Sequence, residues 1–419
     1  MSKYIIQGGS SLDGEISVSG AKNAAMKMMA AALLTNEEVV IRNVPKIEDI
    51  LTMKKILENL GAKITFSGHE MSINCQSVNS FKPDYQLVKH MRGSVIIIGP
   101  LLSRIRMAEI PQPGGCLIGS RPINTHTTAL KQLGVTVTEI GDLFKFNAAK
   151  FKAGKVILDE MSVTATENVM LASVLLPGKT EIHLAASEPE IVALAEMLNS
   201  MGAKILGAGT SKIIIEGVSK LHGCETLVPP DRIEAGTLII AAAVSRGHVI
   251  VNNLNADHIE FVLKKLLEAK VNLKILKNGN SIEVLPTTIF NSINIDTRPY
   301  PGFPTDLQAP LSVLLTQGDG SGKIFETMYE GRFGYVRELQ KMGANINIID
   351  SHTINITGPS VLYGKEITTL DLRAGATLII AALIAKGESI ISKVEIIDRG
   401  YEDIHHRLNN IGADIKRVV

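Results

Sequence analysis

Six times along the chain, an almost uninterrupted apolar run leads through a turn into a short strand of alternating pattern. The pairs are 24–35 into 39–42, 94–102 into 107–110, 169–176 into 180–183, 236–245 into 248–251, 307–316 into 323–326 and 374–385 into 389–392. A helix that is apolar nearly all round must be buried on every side. Each strand is followed by a second segment whose apolar residues recur at helical spacing, over 47–60, 126–133, 190–201, 256–267, 334–342 and 400–411. These predict amphipathic helices with one face on a core. Five of them end in a Leu-x-x-Leu/Met/Ile-Gly phrase, at Gly61, Gly134, Gly202, Gly343 and Gly412, and a sixth, degenerate copy has Lys270 at that place. A glycine there fits the left-handed residue that stops a helix and opens a strand.

The six positions are separated by 73, 68, 68, 73 and 69 residues, a long-short pattern that starts again in the second half. Six repeats in two sets of three follow, each strand, buried helix, strand, amphipathic helix, strand. The fold class expected is α/β, with three buried helices inside and sheets outside in each domain. The register predicts one domain over residues 22–229. Residues 1–21, with an N-terminal strand, complete a second domain with 230–419.

Composition narrows the function. With 419 residues the chain is long enough for two cores. A net charge of +1 and 4% aromatic residues argue against a nucleic-acid binder, which needs a basic surface and stacking platforms. The three cysteines, at 75, 116 and 224, form neither a disulfide framework nor a zinc motif, and the ten histidines show no metal-ligand spacing. No metal site and no membrane span are therefore expected, since the longest apolar runs reach about half the roughly 20 residues a span requires. The start of the chain has no signal-peptide pattern, and a cytoplasmic location is the expectation.

Chemistry concentrates in Pro111-Gln-Pro-Gly-Gly-Cys116-Leu-Ile-Gly-Ser-Arg121-Pro122. Glycines allow a loop to swing, prolines stiffen its ends, and a thiol beside Arg121 is a candidate acid, base or nucleophile. Cys75, in an alternating strand, and Cys224, in a glycine turn, read as inert. The buried helices all open on polar residues: Lys22-Asn23, Arg92-Gly93, Glu167-Asn168, Asp231-Arg232, Thr305-Asp306 and Asp371-Leu-Arg373. Helix starts of this kind favour anions, so gathered N-termini with Lys22 and several arginines would suit a substrate with several phosphates or carboxylates. Asp306 on spacing alone is either a functional carboxylate or an N-cap. Gly318–Lys323 departs from a phosphate loop at both its first glycine and its Ser/Thr position, and reads as a helix-to-strand turn.

Ser19-Gly-Ala-Lys22-Asn23-Ala, Pro113-Gly-Gly-Cys116-x-Ile-Gly-x-Arg121-Pro, Pro230-Asp-Arg-Ile-Glu234, Phe303-Pro-Thr-Asp306 and Asp398-Arg399-Gly-Tyr-Glu402 resemble the signature segments of the UDP-N-acetylglucosamine 1-carboxyvinyltransferases. The resemblance runs the whole length. It implies the enolpyruvyl transferase fold, two inside-out α/β domains of three repeats, with the active site in a cleft between them. One domain would carry the Cys116 lid and the other Asp306 and Arg399. It implies transfer of the enolpyruvyl group of phosphoenolpyruvate to the sugar nucleotide, the step that opens peptidoglycan synthesis and serves wall growth and division.

By the same resemblance, Lys22, Asn23, Arg121 and Arg399 hold phosphoenolpyruvate. Cys116 is the general acid, open to a covalent adduct and to fosfomycin-type epoxides, and Asp306 takes the proton of the attacking hydroxyl. The nucleotide would meet Arg92, Arg121, Pro122, Ile123, Asn124, Thr125, Ser162, Val163, Thr164, Asp306 and Met328. Arg332, Asp231 and Arg373 are further cleft residues. Partners are the two small-molecule substrates, and no cofactor is implied. Two positions depart from the family's pattern: Asn124 stands near where many members carry an aspartate, and Glu48 where some carry a lysine. The alternatives are a 3-phosphoshikimate enolpyruvyl transferase, which lacks the Gly-Gly-Cys loop, and a non-catalytic regulator that binds the sugar nucleotide.

Overall fold

The computed structural model describes residues 2–114, 123–276 and 278–418. Among these the chain forms two compact units, one of residues 20–114 and 123–229 and the other of residues 2–19 and 230–418. Each unit contains three sheets and its own hydrophobic core.

Five of the six sheets share one design, and the sixth, Met107–Pro111 with Leu143–Asn147 and Thr136–Ile140, is antiparallel throughout among the described residues. In the five, a central strand pairs in parallel with one neighbour and antiparallel with another, whose far side takes an edge strand. In the first unit, Val39–Arg42 lies parallel to Cys224–Leu227 and antiparallel to Glu70–Asn74, with Lys63–Ser67 at the edge. In the second, His248–Asn252 lies between Asp13–Ser17 and Ser281–Val284 in the same way. The last repeat has no returning strand of its own. The N-terminal strand Lys3–Gln7 fills that place, antiparallel to both Glu388–Ser392 and Asp414–Val418. The two ends of the sequence thus close the unit.

The helices expected to be buried are buried. Every residue of Ile233–Val244 and of Leu372–Leu383 is below the surface. These helices start earlier than their apolar runs. The helix predicted from 169 is Val163–Ser173, so Glu167 and Asn168 are not in an opening loop but in its second turn, fully buried. Polar residues at that depth need partners, and Asn168 has three: it accepts from Gly99 N at 2.7 Å and donates to Val95 O and His126. A Cβ on Gly99 would sit 2.4 Å from the Asn168 carbonyl oxygen, so glycine permits these helices to touch.

All six repeat-ending residues have positive φ: Gly61, Gly134, Gly202, Gly343 and Gly412 between +87° and +109°, and Lys270 at +62°. The degenerate copy keeps the left-handed turn and accepts the cost of a side chain there. Residues 318–323, read from sequence as a turn, belong instead to the strand Gly318–Phe325, antiparallel to Thr353–Gly358. Glycines 318, 320 and 322 hid a strand that backbone pairing with residues 353–358 supplies. No helix among the described residues is long and apolar enough to cross a membrane.

Candidate active site

In the unit of residues 20–229, site residues sit in the first turns of buried helices. Lys22 and Asn23 open the helix Lys22–Ala31, which has no side-chain N-cap. Lys22 Nζ lies 3.2 Å from Asp49 Oδ2, in the first turn of Glu48–Asn59. Asp49 therefore pairs with the lysine, while Glu48 beside it begins the helix.

A second group is built around His126. Ser162 caps Val163–Ser173 through Ala165 N, which leaves Thr164 in the first turn with Oγ1 3.1 Å from His126 Nε2. Asn168 donates to His126 Nδ1 at 3.0 Å, so Nε2 carries the proton and donates to Thr164. Burial, aided by the Arg92 charge, pushes His126 down to about 3, so the ring is neutral. Arg92 opens the 3-10 stretch Arg92–Ile97, with Nη1 3.5 Å from Pro113 O. Ile123 is buried, Asn124 opens Asn124–Gln132, and Thr125 Oγ1 donates to Glu160 at 3.1 Å. Arg92, residues 123–125 and residues 162–164 thus form one neighbourhood. Cys116, Arg121 and Pro122 lie outside the described residues. Cys75 is buried with its thiol pushed up to about 12, and burial also raises half-buried Cys224, so neither offers a thiolate.

In the other unit, Asp306 lies in the short 3-10 turn Thr305–Leu307, whose N-cap position is Pro304, and just ahead of Gln308–Thr316, whose N-cap position is Leu307. Its carboxylate is instead gripped by Arg332, and by Arg373 Nε at 3.3 Å. Both arginines are buried. Arg373 lies over the Tyr401 ring at 5.2 Å, and Arg332 Nη1 donates to Thr305 Oγ1 at 2.6 Å. Glu326 fixes this frame from below: fully buried, it accepts from Thr297 Oγ1 at 2.9 Å, Thr305 Oγ1 at 2.7 Å and Met328 N at 2.9 Å. Asp306 thus stands at neither N-cap position, and its side chain pairs with two guanidiniums. Asp231 does cap, accepting from Ile233 N at 2.8 Å and Glu234 N at 3.0 Å. Arg399 ends the 3-10 stretch Val394–Arg399 and is half-buried, and its neighbour Asp398 holds Arg417 through two bonds of 3.0 and 2.6 Å.

A model of the EPSP synthase (3-phosphoshikimate 1-carboxyvinyltransferase) family matches residues 6–408. The enolpyruvyl transferase NikO from Streptomyces tendae has the same fold, with a TM-score of 0.89 at 22% identity over 100% of this chain and 99% of that one. EPSP synthase from Acinetobacter baumannii follows with a TM-score of 0.77 and 16% identity, over 100% of both chains. At those identities the likeness shows the fold alone. Full-length relatives decide the branch. The UDP-N-acetylglucosamine 1-carboxyvinyltransferase of Halothermothrix orenii is 44% identical over 100% of both chains, and that of Acidobacterium capsulatum 42% over 100% of this chain and 96% of its own. The chain belongs to the UDP-N-acetylglucosamine 1-carboxyvinyltransferases.

Sequence reading of this UDP-N-acetylglucosamine 1-carboxyvinyltransferase family member missed His126 and Glu326, and placed Asn168 in an opening loop rather than inside the helix Val163–Ser173. Which partner satisfies each one is decided by contacts distant in sequence, such as Glu326 with Thr297, 29 residues away, and Asn168 with His126, 42 residues away.

Proposed function

We propose that the chain transfers the enolpyruvyl group of phosphoenolpyruvate to the 3′-hydroxyl of UDP-N-acetylglucosamine and releases inorganic phosphate. Full-length relatives of that name at 42–45% identity carry this reading. The grip on Asp306 supports it, because a carboxylate at a helix start, held by side chains rather than spent on capping, is oriented to take a proton.

In this reading Lys22, Asn23, Arg121 and Arg399 hold the phosphate and carboxylate of phosphoenolpyruvate. The Cys116 thiol gives its proton to the methylene carbon, and positive charge develops at C2. The sugar 3′-oxygen bonds to C2 as its proton passes to Asp306. Loss of phosphate and of one methyl proton restores the double bond in the product ether. Fixed cations stabilise the charge that moves onto phosphate and carboxylate without reorganising. Arg92, the 123–125 segment, Ser162–Thr164 and Met328 would contact the nucleotide, with Asp231 and Arg373 supporting the frame and Arg332 orienting Asp306. The thiol would also accept a covalent adduct at C2. No cofactor enters, because both the acid and the base are side chains. The product would feed peptidoglycan synthesis in the cytoplasm and so support wall growth and division.

The test is the product itself. Incubation with both substrates should give a nucleotide whose NMR spectrum shows two vinyl protons and an ether at the 3′-oxygen. Unchanged UDP-N-acetylglucosamine, from protein that still binds it, would count against the assignment.

A further inference from the structure

Asp403, His405 and His406 are not among the residues assigned above, yet each offers a ligand atom within 4.8 Å of the other two. Asp403 Oδ1 is 3.3 Å from His405 Nδ1, and the two imidazole rings have centroids 4.1 Å apart at 40°. Spacing along the sequence does not advertise this group. The backbone makes it. Asp403 has φ +43° and ψ +40° just ahead of the helix Ile404–Asn409, and that left-handed turn swings its carboxylate towards the imidazole two residues on.

The group is also supported from behind. His405 is buried, its ring stacked on Tyr4 with centroids 5.2 Å apart at 29° and its Nδ1 3.5 Å from the Tyr4 hydroxyl. Arg417 lies 5.8 Å from the Tyr4 ring centre and is held by both oxygens of Asp398. Its charge is therefore matched. Asp403 and His406 are exposed, which leaves a path from solvent.

We propose that Asp403, His405 and His406 form a binding site for one divalent transition-metal ion of the zinc type, with water completing the coordination. Two imidazoles and a carboxylate suit Zn²⁺, Co²⁺ or Ni²⁺, whereas Ca²⁺ and Mg²⁺ require mostly oxygen ligands. Ligands about 2.1 Å from a tetrahedral ion stand about 3.4 Å apart. One pair already meets that spacing, and modest side-chain rotation brings in the third. The ring of Tyr4 against His405 is the kind of outer contact that fixes a ligand's orientation. The donors are side-chain atoms, and the helix amides play no part.

The experiment is equilibrium dialysis of the full chain against Zn²⁺, beside His406→Asn and Asp403→Asn, both at exposed positions. A parallel titration with Co²⁺ reports the ligand type by absorption. The expected result is one Zn²⁺ per chain, held at least about tenfold more weakly by each variant. The Co²⁺ spectrum should lack a sulfur charge-transfer band, and metal-free melting should be unchanged in the variants. Equal Zn²⁺ affinity in parent and variants, no retained ion, or a sulfur band from cysteine would each overturn the site. Neither readout depends on turnover, so the outcome is independent of the enolpyruvyl reaction.

Discussion

Lys27→Met tests how the helices that carry the site are held together. Lys27 Nζ lies 3.4 Å from Glu167 Oε2, and the pair ties Lys22–Ala31 to Val163–Ser173, both of which present site residues at their N-termini. Both side chains are buried, at 4% and 0% exposure. Burial pushes Glu167 up from 4.5 to about 7, with Lys27 opposing and Glu190 and Glu188 adding to the rise. Between pH 4.5 and 7 the folded state thus binds a proton that the unfolded state has released, and stability falls as pH rises. At about 1.4 kcal/mol per pH unit, this one carboxyl costs about 3 kcal/mol across that window, after which the parent curve levels. Methionine has similar length but no charge, and removing the cation lets Glu167 keep its proton well past pH 7. The variant therefore goes on losing about 1.4 kcal/mol per pH unit where the parent does not. The penalty of Lys27→Met should be small at pH 6 and about 3 kcal/mol at pH 9, within the range for breaking a buried pair. Urea unfolding of parent and variant at pH 6, 7, 8 and 9 measures it, and adding Glu167→Gln should flatten the pH dependence. A penalty equal at pH 6 and pH 9, within about 0.5 kcal/mol, would refute the reasoning.

Asp306→Asn should lower kcat by about a hundredfold or more, as loss of a positioned base does, with the circular dichroism spectrum unchanged. Cys116→Ala should abolish turnover near neutral pH while the sugar nucleotide still binds by calorimetry. A fosfomycin-type epoxide should add to the Cys116 peptide and not to those of Cys75 or Cys224, as read by mass spectrometry. Asp231→Ala removes two cap bonds from Arg232–Val244 and should cost about 1 kcal/mol in unfolding free energy, with Asp231→Asn recovering most of it.

The fold was legible wherever physics repeats along the chain. Buried helices, amphipathic helices and left-handed helix ends recur six times, and one register explains them all. Lys270 shows how strong that register is, since its backbone keeps the turn that its side chain disfavours. Boundaries were less legible. Apolar content marks where a helix is buried, not where its first hydrogen bond forms, so Glu167 and Asn168 were read as an opening loop. The strand Gly318–Phe325 was hidden because three glycines suppress every local strand signal. Among site residues, helix-start polarity marked Lys22 and Asp306, and the family resemblance added Arg332, but spacing alone left Asp306 open between cap and function. The choice depended on Arg332 and Arg373, 26 and 67 residues away. His126 and Glu326 carried no local mark, because a buried polar residue is explained only by its partners. The cluster at Asp403 hinged on one left-handed residue that no spacing rule anticipates.

The most direct test of the central claim is phosphate release from phosphoenolpyruvate, run in parallel with UDP-N-acetylglucosamine and with 3-phosphoshikimate as acceptor. Release with the sugar nucleotide alone is the predicted result. Release with 3-phosphoshikimate, or none with the sugar nucleotide from folded protein that binds it, would contradict the account.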